Sequence, residues 1–371
     1  MSLKILFLTP WYPDEKMPHH GVFVRDQASA VSERHQVTVL SSKVDYSSFS
    51  LFSWTLQESV FRNVREYRLI VKRSIPLINQ FNYLLISVWV AWKIGQRVQP
   101  DIIHGNIAYP GGIWSWCVSK LLSRPFIISD HTSKFTDNFR STFHRIATLF
   151  SLRRAKSVIA VSAWAATQMK PHLQRKVDIV PNLIHVDDYS MATVAEEAVQ
   201  IGFLGGLSTN RKGLDVLLKA LATIKKPFVL HIGGGGKKIE WHKDLAQTLG
   251  VANQCRFHGF VDSVPDFMHQ FNFFISSSRM EAFGMVIVEA MACGLPVVVT
   301  DSGGPADFMD ASCGIMVPPE DVEQLRNAVE WMIDHYHTFD RNRIRMKAVS
   351  HYSPVAFLKN IQPIYDTCLQ G

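Results

Sequence analysis

The sequence has few cysteines, and their spacing matches no metal or redox motif. Five cysteines are scattered over 371 residues without a Cys-x-x-Cys pair, which favours reduced thiols. The N-terminal stretch, MSLKILFLTPWYP, also lacks the long apolar region and small-residue cleavage site of a secretory signal. We therefore expect a cytoplasmic protein.

A long apolar run of the kind that spans a membrane is lacking as well. The run SIPLINQFNYLLISVWVAW has no charge over 19 residues, but Pro76, Asn79 and Asn82 interrupt its first half. The remaining core, Tyr83 to Trp92, is shorter than the roughly 20 residues that a spanning helix needs. We predict a packed helix here.

Basic residues precede that run, and they leave a second interpretation open. Residues 62–73 carry five basic side chains, Arg62, Arg65, Arg68, Lys72 and Arg73. They could dock on an anionic membrane, where each adds about 1 kcal/mol, so that the protein would be peripheral on the inner face of the membrane. No nucleic-acid-binding motif accompanies the charge, and nucleic acid is not an expected partner.

Charge and periodicity divide the chain into two halves. Residues 1–185 carry a net charge of +12 and residues 186–371 one of −5. Short apolar runs alternate with helix-length segments in both, which predicts parallel α/β sheets. We predict a doubly wound domain over 1–185, a linker near 186–199, a second doubly wound domain over 186–351, and a C-terminal helix at about 352–371 that packs back onto the first domain.

Two glutamates lie eight residues apart in the otherwise apolar stretch MEAFGMVIVEA. Buried carboxylates are costly unless a partner binds them. Gly284 precedes a predicted helix from Met285, whose first amides favour an anion. Glu281 in the loop and Glu289 one turn into the helix could each accept hydrogen bonds from sugar hydroxyls beside that anion.

Cations and glycine-rich turns follow other strands of the same half. Arg211 and Lys212 come after the strand IGFLGG, and the turns IGGGG and DSGGPADF follow two more strands. Ligands of doubly wound sheets bind beyond the carboxyl ends of the strands. Such loops together predict a phosphate-containing ligand.

The stretch SSSRMEAFGMVIVEAMACGLPVVVTDSGGPADF resembles the signature of family 4 retaining glycosyltransferases, in which two glutamates are separated by seven residues. The similarity continues through FLGGLSTNRKGLDVLLKAL, LHIGGGG and FHGFVDSVPDFM, and more faintly through HHGVFVRDQASAV, DIIHGN and SDHTSKF. The resemblance implies the GT-B fold, in which two Rossmann-like domains face each other across a cleft.

The resemblance assigns most of the site residues. Glu289 would bind the ribose hydroxyls of a nucleoside diphosphate, and Glu281 would hold the donor sugar. The donor-binding set that it implies is Gly21, Gly205, Gly206, Arg211, Lys212, Val261, Glu281, Phe283, Gly284, Met285 and Glu289. The implied catalytic set is His131, Glu281, Arg211 and Lys212, and the implied acceptor-binding set is His104, Asn106 and Tyr109.

Two positions depart from the family pattern. Gly206 stands where the family usually has an arginine, and Arg211 would replace it from a longer loop. Asp307 stands where a glutamate is common.

The implied reaction is hexosyl transfer from a nucleoside-diphosphate sugar to a hydroxyl of a glycan or lipid-linked saccharide, in the synthesis of cell-surface polysaccharide or glycoconjugate. Retention implies a front-face path through an ion pair, since no nucleophile for a double displacement is identified. The growing charge on the leaving phosphate would be stabilised by Arg211, Lys212 and helix amides. The sequence contains no Asp-x-Asp motif, and we expect neither a metal nor another cofactor.

Three alternatives remain open at this point. A GT-B-like sugar-nucleotide epimerase would share the nucleotide site but need no acceptor. A non-catalytic protein that binds sugar nucleotides or glycans would need no reaction at all. A nicotinamide oxidoreductase is disfavoured because no Gly-x-Gly-x-x-Gly follows the first strand.

Overall fold

The computed structural model describes residues 2–15, 17–50, 52–192 and 198–370. The chain divides into two compact units, each described by itself below. The N-terminal unit contains Met1–Leu183 and Pro354–Gly371, and the C-terminal unit contains Ile184–Ser353. Of the predicted linker, residues 193–197 lie outside the described part.

The described part of the N-terminal unit forms one sheet of eight strands in the order β3-β4-β2-β1-β5-β6-β7-β8. The pairs are parallel except for the antiparallel pair β3–β4. The strands are β1 (Lys4–Thr9), β2 (Gln36–Phe49), β3 (Trp54–Phe61), β4 (Val64–Arg73), β5 (Ile102–Asn106), β6 (Phe126–Asp130), β7 (Val158–Ala160) and β8 (Asp178–Ile179).

Helices cover this sheet and close its core. They are α1 (Val22–Ser32), α2 (Pro76–Val98), α3 (Gly111–Leu122), α4 (Thr142–Arg154), α5 (Ala163–Leu173) and, after the C-terminal unit, α12 (Pro354–Leu369). The last of these packs against α1 and β5, and its Phe357, Leu358 and Ile361 join a core that also contains Ile5, Val39 and other β1 and β2 side chains. None of the helices in the described ranges is long and apolar enough to cross a membrane.

The C-terminal unit has a parallel sheet in the order β11-β10-β9-β12-β13-β14, counted over its described residues. The strands are β9 (Val199–Leu204), β10 (Phe228–Gly233), β11 (Cys255–Gly259), β12 (Phe273–Ser276), β13 (Val297–Thr300) and β14 (Gly314–Val317). The helices are α6 (Leu214–Leu221), α7 (Ile239–Thr248), α8 (Val264–Met268), α9 (Met285–Ala292), α10 (Val322–His335) and α11 (Arg341–Tyr352). Their apolar faces bury a core built on Phe203, Leu217 and Leu230.

Each sheet reverses its strand order at one place. In the N-terminal unit the reversal lies between β1 and β5, and in the C-terminal unit it lies between β9 and β12. Ligands of doubly wound sheets bind at this point, beyond the carboxyl ends of the strands. The loops that follow these four strands are therefore the places to examine.

The predicted α/β fold with two doubly wound, Rossmann-like units is confirmed. Residues 62–73 form the hairpin turn after β3 and the strand β4, and their docking on an anionic membrane stays a prediction. Arg68 pairs with the buried Glu66 at 2.6 Å. The run after it does form a helix, α2.

Candidate functional site at the carboxyl ends of the strands

In the C-terminal unit the loops after β9 and β12 meet through Lys212 and Glu281. The Nζ atom of Lys212 lies 2.5 Å from Oε1 of Glu281, and the Ser278 hydroxyl donates to the same oxygen at 2.7 Å. Because β9 and β12 flank the strand-order reversal, the structure brings two of the predicted site residues together there.

Glu281 is an ionised carboxylate despite its burial. Its residue is 8% exposed, and burial alone would raise the pKa. The charge of Lys212 and the hydrogen bonds from Lys212 and Ser278 outweigh that effect and hold the pKa of Glu281 below its ordinary value. The site therefore contains a charged carboxylate, Glu281, beside the cation of Lys212.

Arg279 fixes the turn that carries the two predicted cations. Its guanidinium binds both carboxylate oxygens of Asp215 at 2.8 Å and also donates to the main-chain carbonyl of Asn210. Its own backbone N–H donates to the carbonyl of Arg211 at 2.8 Å. The sequence analysis missed Ser278 and Arg279, although they are the second and third residues after β12 and so lie at a strand end.

The helix α9 begins at this site with Gly284 as its N-cap. Gly284 has φ of 101°, and a Cβ atom there would lie 2.9 Å from Ile287 Cδ1, so this turn favours glycine. The Phe283 side chain is buried between Phe308 and Tyr352, which leaves its backbone as the part that could face a ligand. Met285 and Glu289 are half-buried on α9.

The remaining predicted donor residues lie in neighbouring loops. Gly205 is packed against the Lys212 side chain, since an added Cβ would lie 2.9 Å from Lys212 Cγ, whereas Gly206 is exposed with open space at that position. Arg211 is exposed, and Val261 is half-buried after β11. The space at Gly206 is therefore compatible with the side chain that the family pattern has there.

In the N-terminal unit His131 is held as a neutral imidazole. It follows β6, is 7% exposed, and shares a 3.2 Å hydrogen bond between Nε2 and Asn106 Oδ1. Its ring contacts that of Phe23 of α1 in a tilted arrangement, with 4.5 Å between centroids. Burial lowers the pKa of His131 to about 3. Nδ1 has no hydrogen-bond partner among the described residues.

Gly21 begins the helix α1 that carries Phe23. It has φ of 72°, and a Cβ atom there would lie 2.4 Å from the main-chain carbon of Trp11. Because glycine has no Cβ atom, the loop after β1 can pack closely against the start of α1.

The predicted acceptor residues have three different environments. His104 and Asn106 lie inside β5 rather than after it, and both are fully buried. His104 uses both ring nitrogens, at 2.9 Å from the Tyr365 hydroxyl and 2.8 Å from that of Ser129, so a ligand contact would require one of these bonds to break. Tyr109 is half-buried against the ring of His144.

Solved structures share this architecture, which is the GT-B fold. A sucrose-phosphate synthase from Thermosynechococcus elongatus has a TM-score of 0.81 at 17% identity, with 99% of each chain covered. HepE of Anabaena, determined in complex with UDP and glucose, has a TM-score of 0.75 at 20% identity, with 98% of this chain and 99% of that chain covered.

The chain belongs to glycosyltransferase family 4. A model described as Glycosyltransferase Family 4 matches residues 20–188, and one described as Glycosyl transferases group 1 matches residues 198–335. The lipopolysaccharide core biosynthesis glycosyltransferase LpsE of Rhizobium meliloti is 33% identical over 167 residues, which cover 43% of this chain and 48% of that enzyme. The resemblance found in the sequence is thus confirmed at the level of the family.

Proposed function

We propose that this glycosyltransferase moves a hexosyl group, with retention, from a nucleoside-diphosphate sugar to a hydroxyl of a glycan or lipid-linked saccharide during synthesis of cell-surface polysaccharide or glycoconjugate. The observation that carries the proposal is the Lys212–Glu281–Ser278 cluster at the strand-order reversal, next to the start of α9. The UDP complex of HepE and the naming of LpsE as a lipopolysaccharide core biosynthesis glycosyltransferase agree with the donor and product classes.

The diphosphate would lie at the first amides of α9, where the helix dipole favours an anion. Exposed Arg211 supplies a guanidinium that can grip phosphate oxygens, and Lys212 supplies a point charge. Both would stabilise the negative charge that grows on the leaving phosphate as the bond to the anomeric carbon breaks.

The two glutamates would hold the sugars on either side of the diphosphate. Glu289 would accept hydrogen bonds from the ribose hydroxyls, and the ionised Glu281 would accept them from the donor sugar. Since Lys212 already neutralises Glu281, the carboxylate can receive a neutral hydroxyl without an unpaired charge.

Deprotonation of the acceptor is assigned to the leaving phosphate. His131 has a pKa of about 3 because of burial, so it is neutral at pH 7. Its predicted role beside the transferred sugar stays a prediction and would be hydrogen bonding rather than charge stabilisation. The proposed mechanism uses these groups and requires neither a metal nor another cofactor.

Calorimetric titration with UDP-, GDP- and ADP-sugars tests the donor site. We expect one donor to bind in EDTA and the Glu289→Ala variant to lose that binding. Glu240→Ala is the matched control, since Glu240 is an exposed glutamate on α7 that pairs with Lys243, and it should bind like the wild type.

Three outcomes would contradict the proposal. Failure of every donor to bind the wild-type protein would remove the donor site. Equal binding by Glu289→Ala would remove the assigned ribose contact. Conversion of the sugar nucleotide into an epimer without acceptor would indicate the epimerase instead.

A further inference from the structure

A large apolar surface of the N-terminal unit is open to solvent. It combines one side of α2 with the edge strand β3, and we call it the α2–β3 face, defined by Phe81, Leu85, Trp89, Trp54, Leu56 and Val60. These side chains are 60%, 50%, 47%, 37%, 38% and 70% exposed, respectively. Contiguous exposed apolar side chains of this size mark an interaction site more often than chance exposure does.

The fold explains why this face has no cover. The helix α2 packs against β1, β2 and β4, with Val90, Ala91 and Ile94 buried on its inner side. Positions 81, 85 and 89 follow at intervals of four, so they share the outer side of the helix. Alternate residues of β3 point toward the same side, and the rings of Trp54 and Trp89 meet at 5.9 Å, which joins both elements into one surface.

Basic side chains border this face. The C-terminal end of α2 carries Lys93 and Arg97, which follow Trp89 along the helix. Arg97 also lines a cavity of about 690 Å³ at the amino ends of β1 and β2, together with Lys4, Arg62 and Arg65. Val60 of the α2–β3 face lines the same cavity, so the apolar and basic surfaces are continuous.

Acidic groups do not balance that charge. No acidic side chain is among the described residues that line the cavity. Glu58 lies on the α2–β3 side of β3, but Arg65 lies 3.7 Å away and the Tyr67 hydroxyl donates to it at 3.1 Å. The border therefore keeps a positive net charge.

We propose that the α2–β3 face docks the protein on an anionic lipid bilayer. The apolar side chains enter the interfacial region, where tryptophan rings are favoured, and the basic cavity receives lipid phosphate groups. Positive charge beside an aromatic and aliphatic surface complements anionic lipid, to which each nearby basic residue adds about 1 kcal/mol. This proposal does not depend on sugar transfer.

A second copy of the chain fits this face less well. A two-fold interface places the same patch of each copy opposite itself. The basic border of one copy would then face the basic border of the other, and like charges oppose association. Anionic lipid is therefore the partner that fits the α2–β3 face better.

The docking surface shares Arg62 and Arg65 with the basic segment that the sequence suggested, but it does not include Arg68. Arg68 points to the other side of the sheet, where it binds Glu66 and the Ser59 hydroxyl. Charge reversal at Arg68 would disturb a buried carboxylate, so it cannot report on lipid binding. Charge reversal at Arg65 and Arg97, which line the basic cavity, does test lipid binding.

Sedimentation with vesicles tests the proposal on the full chain. Vesicles contain equal parts of phosphatidylglycerol and phosphatidylcholine, and pure phosphatidylcholine is compared. The variant Phe81→Ser/Leu85→Ser should bind anionic vesicles more than tenfold more weakly than the wild type, and Arg65→Glu/Arg97→Glu should do the same. Wild-type binding should also weaken as salt is raised, because the charges are screened.

Matched controls separate the α2–β3 face from general exposure and charge. Phe143 and Ile146 of α4 are 56% and 62% exposed, and Phe143→Ser/Ile146→Ser should bind vesicles like the wild type. Lys120 and Lys359 are exposed lysines of the same unit, and Lys120→Glu/Lys359→Glu should lose clearly less binding than Arg65→Glu/Arg97→Glu. Circular dichroism checks that each variant is folded.

Several results would overturn the inference. Equal vesicle binding by wild type and by both face variants would remove this surface. A wild-type dimer that Phe81→Ser/Leu85→Ser converts into a monomer would make a second copy the occupant. Tight binding of inorganic phosphate without any vesicle binding would make the cavity a site for free phosphate.

Discussion

At the scale of single residues, Glu281 shows how a charged group is kept in a largely buried site. A carboxylate that loses water needs both an opposite charge and hydrogen bonds. Lys212 gives the charge and Ser278 gives a second hydrogen bond to the same oxygen, Oε1. Because the Lys212 side chain is 21% exposed, it can turn toward water or toward a ligand when its partner changes.

Glu281→Gln should weaken donor binding by more than tenfold. The amide keeps the size of the side chain but loses the charge that orients Lys212, and its NH₂ group cannot accept a hydrogen bond from a sugar hydroxyl. Donor affinity is measured by calorimetry. Glu240→Gln is the control, since Glu240 is exposed on α7 and pairs with Lys243 rather than with a residue of the site. Unchanged affinity in Glu281→Gln would show that this carboxylate does not hold the donor.

At the scale of elements, Arg279 joins three segments of the C-terminal unit. It follows β12, grips Asp215 in the first turn of α6, and binds the main chain of the turn that carries Arg211 and Lys212. Burial would raise the pKa of Asp215, but hydrogen bonds and charge from Arg279 outweigh it and lower that pKa. The site cations therefore depend on a residue that is assigned no ligand contact.

Arg279→Lys should loosen this turn. A lysine has one point charge and cannot reproduce the two-pronged contact with a carboxylate. We expect faster amide hydrogen exchange at residues 209–213 and donor binding that is about tenfold weaker. Arg326→Lys is the control, because Arg326 is half-buried on α10 and bonds its neighbour Asn327. Exchange at the wild-type rate would show that Arg279 does not position the turn.

The elements also show what the sequence could and could not predict. Parallel strands such as Phe126–Asp130 and Val297–Thr300 are buried along their length, so they are visible as continuous apolar runs. The hairpin of β3 and β4 was missed because its exposed residues and several arginines hide the two-residue alternation. The burial of His104 depends on Tyr365, which is 261 positions away in sequence, and local patterns carry no signal of such a contact.

At the scale of the whole molecule, buried histidines couple folding to pH. Burial lowers the pKa of His104 and His131 to about 3, and burial with the neighbouring His258 lowers that of His231 to about 4. These imidazoles stay neutral in the folded protein under conditions in which the histidines of the unfolded chain, with an ordinary pKa of 6.5, bind protons. Asp130 acts in the opposite direction, since burial raises its pKa.

Stability should therefore be greatest above pH 6.5 and fall as the pH drops toward 4.5. Each such histidine contributes a slope of about 1.4 kcal/mol per pH unit well below the unfolded pKa. Urea midpoints at pH 7, 6 and 5 measure the effect, since the unfolded chain takes up more protons over this range.

His231→Gln gives the matched comparison. This variant should be less sensitive to acid than the wild type, because one proton-binding group has been removed from the unfolded chain. A urea midpoint that is constant or rises on acidification would contradict the sign of the effect. Equal acid sensitivity in His231→Gln and the wild type would exclude His231 as a contributor.

The packing of α12 has a consequence for the order of synthesis. The core of the N-terminal unit includes Phe357, Leu358, Ile361 and Tyr365, yet residues 184–353 are made between Leu183 and this helix. While the ribosome builds the C-terminal unit, the core beside α1 and β5 stays uncovered, and a nascent chain at that stage presents apolar surface to chaperones. A recombinant fragment that stops at residue 183 would keep that same surface permanently exposed.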